Sequence, residues 1–280
     1  MIGGIFEGGT AVVTGAGSGL GSAMVDRFAS GGMRIVALDV DGDGAEETAR
    51  RVREGGGAAV AMQVDVADFS QLLAAAALAE ERFGGCSVLC ANVGVQQFGA
   101  IDRLTEQDWH WVLEVNVMGV IRTVNAFLPL MRKTDSERRI AITSSSAALT
   151  PGIRMAAYTT SKYAVTGYAE TLRMELADEG IGVSIVFPSG MTTRHLESSV
   201  KARPAEFGPS ELRREDIDAM MASRNLETAG HVASADYATR HLLTDLAANE
   251  RYIITHGNFR QQLLDNHDAI LRAHDRGQEA

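Results

Sequence analysis

The chain has 280 residues, of which 45% are hydrophobic and 22% charged, and its formal net charge is −10. This composition is typical of a globular protein with a full core and excludes a disordered or fibrous chain. The acidic balance, without a Lys/Arg cluster, argues against nucleic acid or a membrane surface as a partner. Cys86 and Cys90 are too few for a disulfide framework. No leader is evident and no apolar run approaches the ~18 residues that span a bilayer, so we expect a cytoplasmic protein.

Short β-branched segments alternate with longer helix-like segments along the chain. The predicted strands are Ala11–Thr14, Arg34–Asp39, Ala59–Val64, Val88–Ala91, Ile140–Ser144, Val183–Phe187 and Tyr252–Thr255. The predicted helices are Leu20–Ser30, Ala45–Glu54, Phe69–Phe83, Glu106–Arg132, Tyr158–Glu179 and Ser234–Asn249. Such alternation is typical of parallel strands joined by right-handed crossovers. We therefore expect an α/β fold with a single doubly wound parallel sheet of about seven strands and helices on both faces.

One long segment interrupts this alternation after the sixth strand. Residues 191–230 have mixed polarity, and so long a segment between a strand and the next predicted helix is either a functional lid or a disordered stretch. Ligands of open α/β sheets bind outside the carboxyl ends of the strands, which favours a substrate lid. We expect one domain over residues 1–260 that includes this lid. A helical tail over residues 261–280 follows, with apolar residues at helical spacing.

A glycine-rich loop follows the first strand and opens a helix. It reads Thr14-Gly15-Ala16-Gly17-Ser18-Gly19-Leu20-Gly21, with the spacing GxxxGxG rather than GxGxxG. Glycines allow a tight turn and let the backbone approach a pyrophosphate, which the free N–H groups of the helix N-terminus bind. The position between an apolar strand and a helix predicts a nucleotide-binding loop.

Two acidic residues end neighbouring strands near this loop. Asp39 ends the second strand, where a carboxylate can accept both hydroxyls of an adenosine ribose. The same carboxylate would repel a 2′-phosphate, so we expect NAD as cofactor, with NADP disfavoured. Asp65 ends the third strand, and its side chain either contacts the adenine amino group or caps a turn.

Tyr158 and Lys162 lie four residues apart in a predicted helix, so their side chains share one face. A tyrosine phenol is mostly protonated at neutral pH, and a nearby ammonium together with a positive nicotinamide ring favours the phenolate. The phenolate is a base suited to deprotonating an alcohol. Ser145 leaves the preceding strand at the carboxyl edge of the sheet and could donate a hydrogen bond to the same substrate oxygen.

These motifs together resemble those of the short-chain dehydrogenase/reductases over roughly residues 5–260. The matching pieces, in the order of that family, are residues 14–21, Asp65-Val66, Ala91-Asn92-Val93-Gly94, Asn116, Ser145, Tyr158 with Lys162, and Pro188-Ser189-Gly190-Met191-Thr192-Thr193. The resemblance implies a Rossmann-type fold and a soluble NAD-dependent oxidoreductase. Phe207-Gly208 in the lid and the segment 251–256 are similar to a bacterial branch that includes dehydrogenases of benzylic secondary alcohols in lignin-derived aryl ethers.

The resemblance also assigns roles to individual residues. Tyr158 is implied as the acid/base and Ser145 as the residue that positions the substrate oxygen. Lys162 is implied to bind the nicotinamide ribose and favour the phenolate, and Asn116 to hold a proton-relaying water. The implied cofactor contacts are Gly15, Ser18, Gly19, Leu20, Gly21, Asp39, Asp65, Val66, Asn92, Gly94, Tyr158, Lys162, Pro188 and Thr193.

Two departures from the family pattern affect these expectations. The usual Asn-Asn-Ala-Gly reads Ala91-Asn92-Val93-Gly94, which loses the first amide. The usual Pro-Gly becomes Pro188-Ser189, with Gly190 one place later, so the register of the nicotinamide contact is open.

Substrate contacts are expected from segments next to these motifs. The candidates are Gln96, Gln97, Met191 and His195, although a histidine in such a lid is more often an exposed loop residue. The seven histidines form no metal-ligand pattern, so we expect no metal. The wide apolar surface of the Glu106–Arg132 helix suggests, by analogy with the family, a homodimer or homotetramer.

The function predicted from the sequence is therefore NAD-dependent interconversion of a secondary alcohol and a ketone, acting on a small molecule. One alternative is a 3-oxoacyl thioester reductase, against which Asp39 argues, since such enzymes usually use NADP. The other is a nucleotide-binding regulator without turnover. The presence of Tyr158, Lys162, Ser145 and Asn116 argues against that alternative.

Overall fold

A computed structural model describes residues 4–193, 195–208, 213–223 and 232–278, and it contains one parallel sheet. Its strands are β1 Thr10–Thr14, β2 Arg34–Asp39, β3 Ala59–Gln63, β4 Val88–Ala91, β5 Arg138–Thr143, β6 Ile181–Phe187 and β7 Tyr252–Ile254. The strand order is β3-β2-β1-β4-β5-β6-β7, and every neighbouring pair is parallel. The predicted doubly wound sheet is confirmed.

Helices cover both faces of the sheet. They are α1 Gly19–Ser30, α2 Gly42–Glu54, α3 Phe69–Phe83, α4 Glu106–Leu113, α5 Gly119–Arg132, α6 Ala156–Glu175, α7 His195–Ala202, α8 Arg214–Ser223, α9 Ala235–Thr239, α10 Leu242–Ala247 and α11 Arg260–Arg276. Side-chain caps begin several of them: Asp68 accepts from the amides of Ser70 and Gln71 at α3, and Thr105 forms a capping box with Asp108 at α4.

The apolar core is divided by the sheet into two layers. One layer packs α3, α5 and α6 against the sheet, and the other packs α1, α9 and α10 against its opposite face. The central strands β1, β4 and β6 are buried along their whole length, as expected for strands covered on both faces.

Three predicted helices differ in detail from the observed ones. The predicted helix Glu106–Arg132 contains a π-helical segment, Glu114–Met118, between α4 and α5. The predicted helix Tyr158–Glu179 ends its α-helical part at Glu175 and continues as a short 3₁₀ turn. The predicted helix Ser234–Asn249 is divided into α9 and α10, because the backbone leaves the helical path at His241. Periodicity alone does not reveal such local changes in helical winding.

Among the described residues, the continuous helical stretch from Glu106 to Arg132 is long and apolar enough to cross a membrane. The expectation that no apolar segment reaches the length that spans a bilayer is therefore wrong for this stretch. Half of its apolar window is buried against the rest of the protein. A core helix of a globular protein has the same properties, and α5 lies in the core layer, packed against α3 and β4.

The predicted lid is described in part, over residues 191–193, 195–208 and 213–223, and the remainder of 191–230 lies outside the described residues. It contains α7 and α8, and its base is closed by a bridge between Met191 and Ala233. The predicted tail helix is present as α11, and none of its residues is buried. The division of the chain into a domain and a tail stays a prediction.

Candidate active site

A cleft of about 1250 Å³ lies along the carboxyl ends of the central strands. The loops that follow β1, β2, β4, β5 and β6 line it, together with α6 and the lid helices α7 and α8. This is the edge at which parallel α/β sheets bind ligands, because the strand order reverses between β1 and β4.

The glycine loop after β1 has the backbone that its sequence requires. Gly15 and Gly19 have φ of +68° and +54°, a left-handed backbone conformation that residues other than glycine rarely adopt. A Cβ on Gly21 would lie 1.9 Å from the carbonyl oxygen of Gly15 and 2.8 Å from the side-chain nitrogen of Asn92. The close packing of the loop on itself and on Asn92 is therefore possible only because these positions carry no side chain.

Asp39 connects the glycine loop with the end of β2. Its carboxylate accepts hydrogen bonds from the amides of Gly17, at 2.8 Å, and Asp41, at 2.9 Å. Burial raises the pKa of the Asp39 carboxyl, while these amide hydrogen bonds act in the opposite direction. The carboxylate is thus fixed beside the glycine loop, where it lines the cleft. A ribose diol suits this position, because it offers two hydroxyl donors.

Asn92 joins the ends of three strands. Its amide nitrogen donates to the carbonyl of Thr14, at 3.1 Å, and its side-chain oxygen accepts from the hydroxyl of Thr143, also at 3.1 Å. The Thr14 hydroxyl in turn accepts from the backbone N–H of Asn92. One amide therefore supports β1, β4 and β5, even though Ala91 replaces the family's first amide.

Tyr158 and Lys162 occupy one face of α6, as their spacing predicts, and both are buried. The ammonium of Lys162 lies 5.6 Å from the centre of the Tyr158 ring and donates to the carbonyl of Thr143 at 3.0 Å. Burial lowers the pKa of Lys162 to about 8. Gly94 packs against this amine: a Cβ there would lie 3.3 Å from Nζ and 3.5 Å from the side-chain oxygen of Asn116.

Asn116 lies in the π-helical segment between α4 and α5 and is completely buried. Its side chain bonds both backbone groups of Val95, at 2.7 Å and 3.0 Å, and donates to the hydroxyl of Ser161 at 2.9 Å. That hydroxyl donates to the carbonyl of Tyr158 at 2.6 Å. Asn116 thus connects the loop after β4 to the helix of Tyr158. The role of Ser161 in this chain of hydrogen bonds is not apparent from the sequence.

Ser145 and the Pro188 turn close the other side of the cleft. The hydroxyl of Ser145 accepts from the amide of Ala147 at 3.1 Å and retains the capacity to donate a hydrogen bond. The amide of Ser146 donates to the carbonyl of Pro188 at 2.8 Å. Thr193 approaches the glycine loop, since a Cβ on Gly19 would lie 3.5 Å from its side chain. Pro188 and Thr193 both line the cleft.

His256 is buried and supports the turn that follows Pro188. No role was assigned to this histidine from the sequence. The carbonyl of Gly190 accepts from the amide of Ala233, at 3.1 Å, and from Nε2 of His256, at 2.8 Å. Nδ1 of His256 lies 2.7 Å from the hydroxyl of Thr255. The position of His256 at the end of β7 beside β6 is the only sequence signal that could have indicated this contact.

Asp65 and Val66 line the cleft at its far end. The Asp65 carboxylate accepts from the amide of Ala67 at 2.9 Å, which caps a turn. Turn capping by this side chain is therefore observed, and its contact with adenine stays a prediction. Gly15, Ser18, Gly19, Leu20, Gly21, Asn92 and Gly94, all predicted at the cofactor, also line the cleft.

The substrate candidates are only partly brought together. Gln96, Met191 and His195 line the cleft, whereas Gln97 does not. Gln97 is buried, and its side-chain nitrogen donates to the carbonyl of Phe98 at 3.3 Å. His195 is the first residue of α7 and is half-buried, so the expectation of an exposed loop histidine is wrong. Burial and the charge of Lys162 lower the pKa of His195 to about 4.

Metal ligands are absent from the part of the chain that the structure describes: no group of three His, Cys, Asp or Glu there could hold a metal ion. Cys86 and Cys90 are fully buried, and burial raises the pKa of each thiol far above its ordinary value. The chemistry available in the cleft is therefore that of a phenol, an amine, hydroxyls and an imidazole beside a nucleotide cradle.

The chain belongs to the short chain dehydrogenase family, whose model matches residues 9–204, and it is an oxidoreductase of that family. It is 38% identical over 192 residues to the 3beta-hydroxysteroid dehydrogenase 1 of Eggerthella lenta, covering 67% of this chain and 72% of the relative. The C alpha-dehydrogenase of Sphingobium sp. SYK-6 is 31% identical over 206 residues, covering 73% and 67% of the two chains.

A solved structure extends this similarity over almost the whole chain. The short chain dehydrogenase/reductase from Burkholderia phymatum in complex with NAD superposes with a TM-score of 0.88 and 30% identity, covering 96% of both chains. The family and the Rossmann-type fold expected from the sequence motifs are thereby confirmed.

Proposed function

We propose that this protein is an NAD-dependent dehydrogenase that interconverts a secondary alcohol and a ketone. The observation that carries the proposal is the meeting of Tyr158, Lys162 and Ser145 in one cleft with the glycine loop and Asp39. The NAD complex of the Burkholderia phymatum relative supports the choice of coenzyme.

The residues of the cleft fit a dinucleotide. The amides at the start of α1 would bind the pyrophosphate, and Asp39 would accept the hydroxyls of the adenosine ribose. The side chain of Val40, next to Asp39, is exposed and supplies no cation for a 2′-phosphate, which favours NAD over NADP. Lys162 would bind the nicotinamide ribose, and the Pro188 turn with Thr193 would border the nicotinamide. When bound, NAD supplies an acceptor for the hydride of the carbinol carbon.

The chain's own residues move the proton. The hydroxyl of Ser145 donates to the substrate oxygen and orients it, while the phenolic oxygen of Tyr158 takes the proton of the carbinol. The buried ammonium of Lys162 stabilises the phenolate that this step requires. In the opposite direction the same phenol returns the proton to the ketone oxygen. Asn116 and Ser161 hold α6 against the loop after β4, which fixes the position of Tyr158.

The two alternatives receive less support from the cleft. A silent regulator has no need for a buried amine beside a tyrosine in the same cleft as the nucleotide loop. If the chain were a 3-oxoacyl thioester reductase, an acidic carrier protein would have to bring the thioester to it, and the net charge of the chain is itself −10. Charge repulsion would slow that encounter.

The test is a screen with NAD over aryl, alicyclic, steroid and sugar alcohols, followed by Tyr158→Phe on the best substrate. We expect Tyr158→Phe to lower kcat by about a thousandfold, because general acid–base catalysis typically contributes about 10² to 10⁴. Its Kd for NAD should stay within threefold of the wild type. Tyr163→Phe, an exposed tyrosine on the same helix, is the matched control. Turnover retained by Tyr158→Phe would disprove the proposed role.

The coenzyme is tested separately by titration. Wild type should bind NAD at least tenfold more tightly than NADP, and Asp39→Ala should remove most of that difference. Asp43→Asn removes a charge from the exposed first turn of α2 and serves as the control. Equal affinities of the wild type for both coenzymes would disprove the assignment of Asp39.

We also propose a homo-oligomer and a cytoplasmic location, as the sequence predicts. Two exposed apolar side chains, Met118 of the π-helical segment and Met174 of α6, support contact with a second copy. Light scattering during gel filtration measures this state, and a monomer at micromolar concentration would contradict it.

A further inference from the structure

The cleft extends beyond Tyr158 into a chamber with apolar walls. The ring of Phe98 lies edge-on to that of Tyr158, with centroids 6.5 Å apart and planes at 75°. Met155 and Met220 pack in the same buried cluster, which Leu196 of α7 completes. Edge-on aromatic rings and flexible thioethers are surfaces that accept flat or bulky hydrocarbon groups.

A second apolar group widens this chamber on the side of α4. Trp111 and Val95 are buried there, and Phe207 and Ala202 of the lid pack against them. All four residues line the cleft. The chamber is therefore built from the loop after β4, the loop before α6, α4 and two parts of the lid. Such walls exclude a sugar or another densely hydroxylated substrate, whose polar groups would lose their hydrogen bonds to water.

Three ion pairs hold the lid in this position. Asp216 of α8 is almost completely buried and lies 2.7 Å from Arg103 and 3.1 Å from Arg154. Arg203 of the lid lies 2.7 Å from Asp108 of α4, and both side chains are buried. Met220 is one helical turn beyond Asp216, so the first ion pair also fixes the position of a chamber wall.

A polar side chain of the lid lies beside these apolar walls. His195 lines the cleft from the start of α7 and is half-buried. Within the described residues neither of its ring nitrogens has a hydrogen-bond partner, although its backbone carbonyl accepts from Ser199 at 2.7 Å. Its low pKa means that it is uncharged in the working pH range. The imidazole faces the cleft, where a polar group of a ligand can form a hydrogen bond with it.

We propose that the substrate is a bulky, ring-bearing, uncharged secondary alcohol or ketone with a second polar group remote from the carbinol, which the imidazole of His195 binds. This inference rests on the proposed dehydrogenase function and specifies its substrate class. An uncharged imidazole offers one donor and one acceptor, so it suits a hydroxyl, ether or carbonyl group. His195 is thereby a specificity-determining residue rather than part of the proton transfer.

The experiment compares two probes that differ in one remote hydroxyl, 1-(naphthalen-2-yl)ethanol and 1-(6-hydroxynaphthalen-2-yl)ethanol. Ketone formation with NAD is followed by chromatography in wild type, His195→Phe and His195→Gln. His195→Phe keeps a ring but removes the hydrogen bond, whereas His195→Gln keeps a donor and an acceptor. His267→Phe, on the exposed face of α11, is the matched control. The Kd for NAD is measured for each variant.

We expect wild type to prefer the hydroxylated probe by about tenfold to a hundredfold in kcat/KM, since an unmade buried hydrogen bond has an effect of this size. His195→Phe should lose this preference, mainly through a higher KM for the hydroxylated probe, with an unchanged Kd for NAD. His195→Gln should keep part of it, and His267→Phe all of it.

Three results would overturn the inference. The preference for the hydroxylated probe could persist in His195→Phe, or kcat/KM could fall equally for both probes. The third result is a change in the Kd for NAD instead, which would place the imidazole at the coenzyme. Activity on sugar alcohols but on neither probe would overturn the substrate class and leave the dehydrogenase function intact. Absence of turnover with every alcohol of the screen would disprove the dehydrogenase function itself.

Discussion

The coenzyme side and the substrate side of the cleft are built in different ways. The coenzyme side consists of backbone: the glycine loop, the amides at the start of α1, and strand ends held together by Asn92. The substrate side consists of side chains, brought together from segments as distant in sequence as Phe98, Met155 and Met220. Ion pairs of the buried Asp216 and of Arg203 hold the lid part of that side in place.

Because of this difference, the two sides of the cleft tolerate different amino-acid substitutions. A backbone cradle is sensitive to any added atom, because a strand-to-helix turn cannot shift without moving the strand. A side-chain chamber tolerates exchange of its walls, since methionines and loop residues repack. The same coenzyme chemistry can therefore serve many substrates once the lid and its neighbouring loops differ.

The largest effect is expected from Gly21→Ala, on the coenzyme side. The new Cβ would lie 1.9 Å from the carbonyl oxygen of Gly15, and the backbone of the loop must move to admit it. We expect the Kd for NAD to rise about a hundredfold, which corresponds to roughly 3 kcal/mol. Isothermal titration measures this.

Its control is Gly167→Ala on α6, where a Cβ would meet no atom within 4 Å. That variant should bind NAD like the wild type and unfold at the same or a slightly higher temperature, because alanine is the better helix former. A Kd for Gly21→Ala within threefold of the wild type would contradict the view that the cradle admits no side chain.

The next effect concerns Lys162 in the protein without coenzyme. Burial lowers the pKa of this amine to about 8 from an ordinary value of 10.5. Between these values the unfolded chain binds the proton and the folded chain does not, so the contribution of Lys162 to stability rises with pH. Relative to Lys162→Met, the free energy of unfolding of the wild type should increase by about 2 kcal/mol from pH 7.5 to 9.5.

Urea unfolding of both proteins at several pH values measures this difference. Lys201→Met, which removes an exposed lysine of α7, should show no such trend relative to the wild type. A difference between wild type and Lys162→Met that stays constant with pH would mean that the amine is solvated in the folded protein.

The smallest effect is expected on the substrate side, from Asp216→Asn. The amide keeps the shape but not the charge that holds Arg103 and Arg154, so α8 and Met220 should loosen. We expect KM for a ring-bearing alcohol to rise about tenfold, equivalent to ~1.4 kcal/mol, with an unchanged Kd for NAD.

Glu215→Gln is the matched control, because Glu215 lies 3.4 Å from the same Arg103 but is exposed. It should change KM less than twofold, as surface ion pairs contribute little. An Asp216→Asn variant that weakened NAD binding as much as substrate binding would show that the two sides of the cleft are not independent.

Sequence reasoning was most successful where a function depends on neighbours along the chain. The glycine loop, Asp39 and the pair Tyr158–Lys162 are each local patterns, and the structure places all of them in one cleft. The bounds of the strands were correct within about two residues. The single parallel sheet of seven strands and the family also agree with the expectation.

It was least successful where contacts join remote segments. Gln97 follows Gln96 in sequence, yet the backbone turns it away from the cleft and into the interior. His195 reads as a loop histidine, but the start of α7 brings it into the cleft. His256 reaches the carbonyl of Gly190 across 66 positions. The spacing of a sequence contains no signal for such contacts.

The sequence by itself determined the alternation of strands and helices, the glycine positions of the loop and the shared face of Tyr158 and Lys162. These follow from periodicity and steric limits that act over a few residues. Only the tertiary structure decided which side chains form the substrate chamber and which charges hold the lid. Those contacts depend on how distant segments pack, and many different side chains can satisfy the same packing.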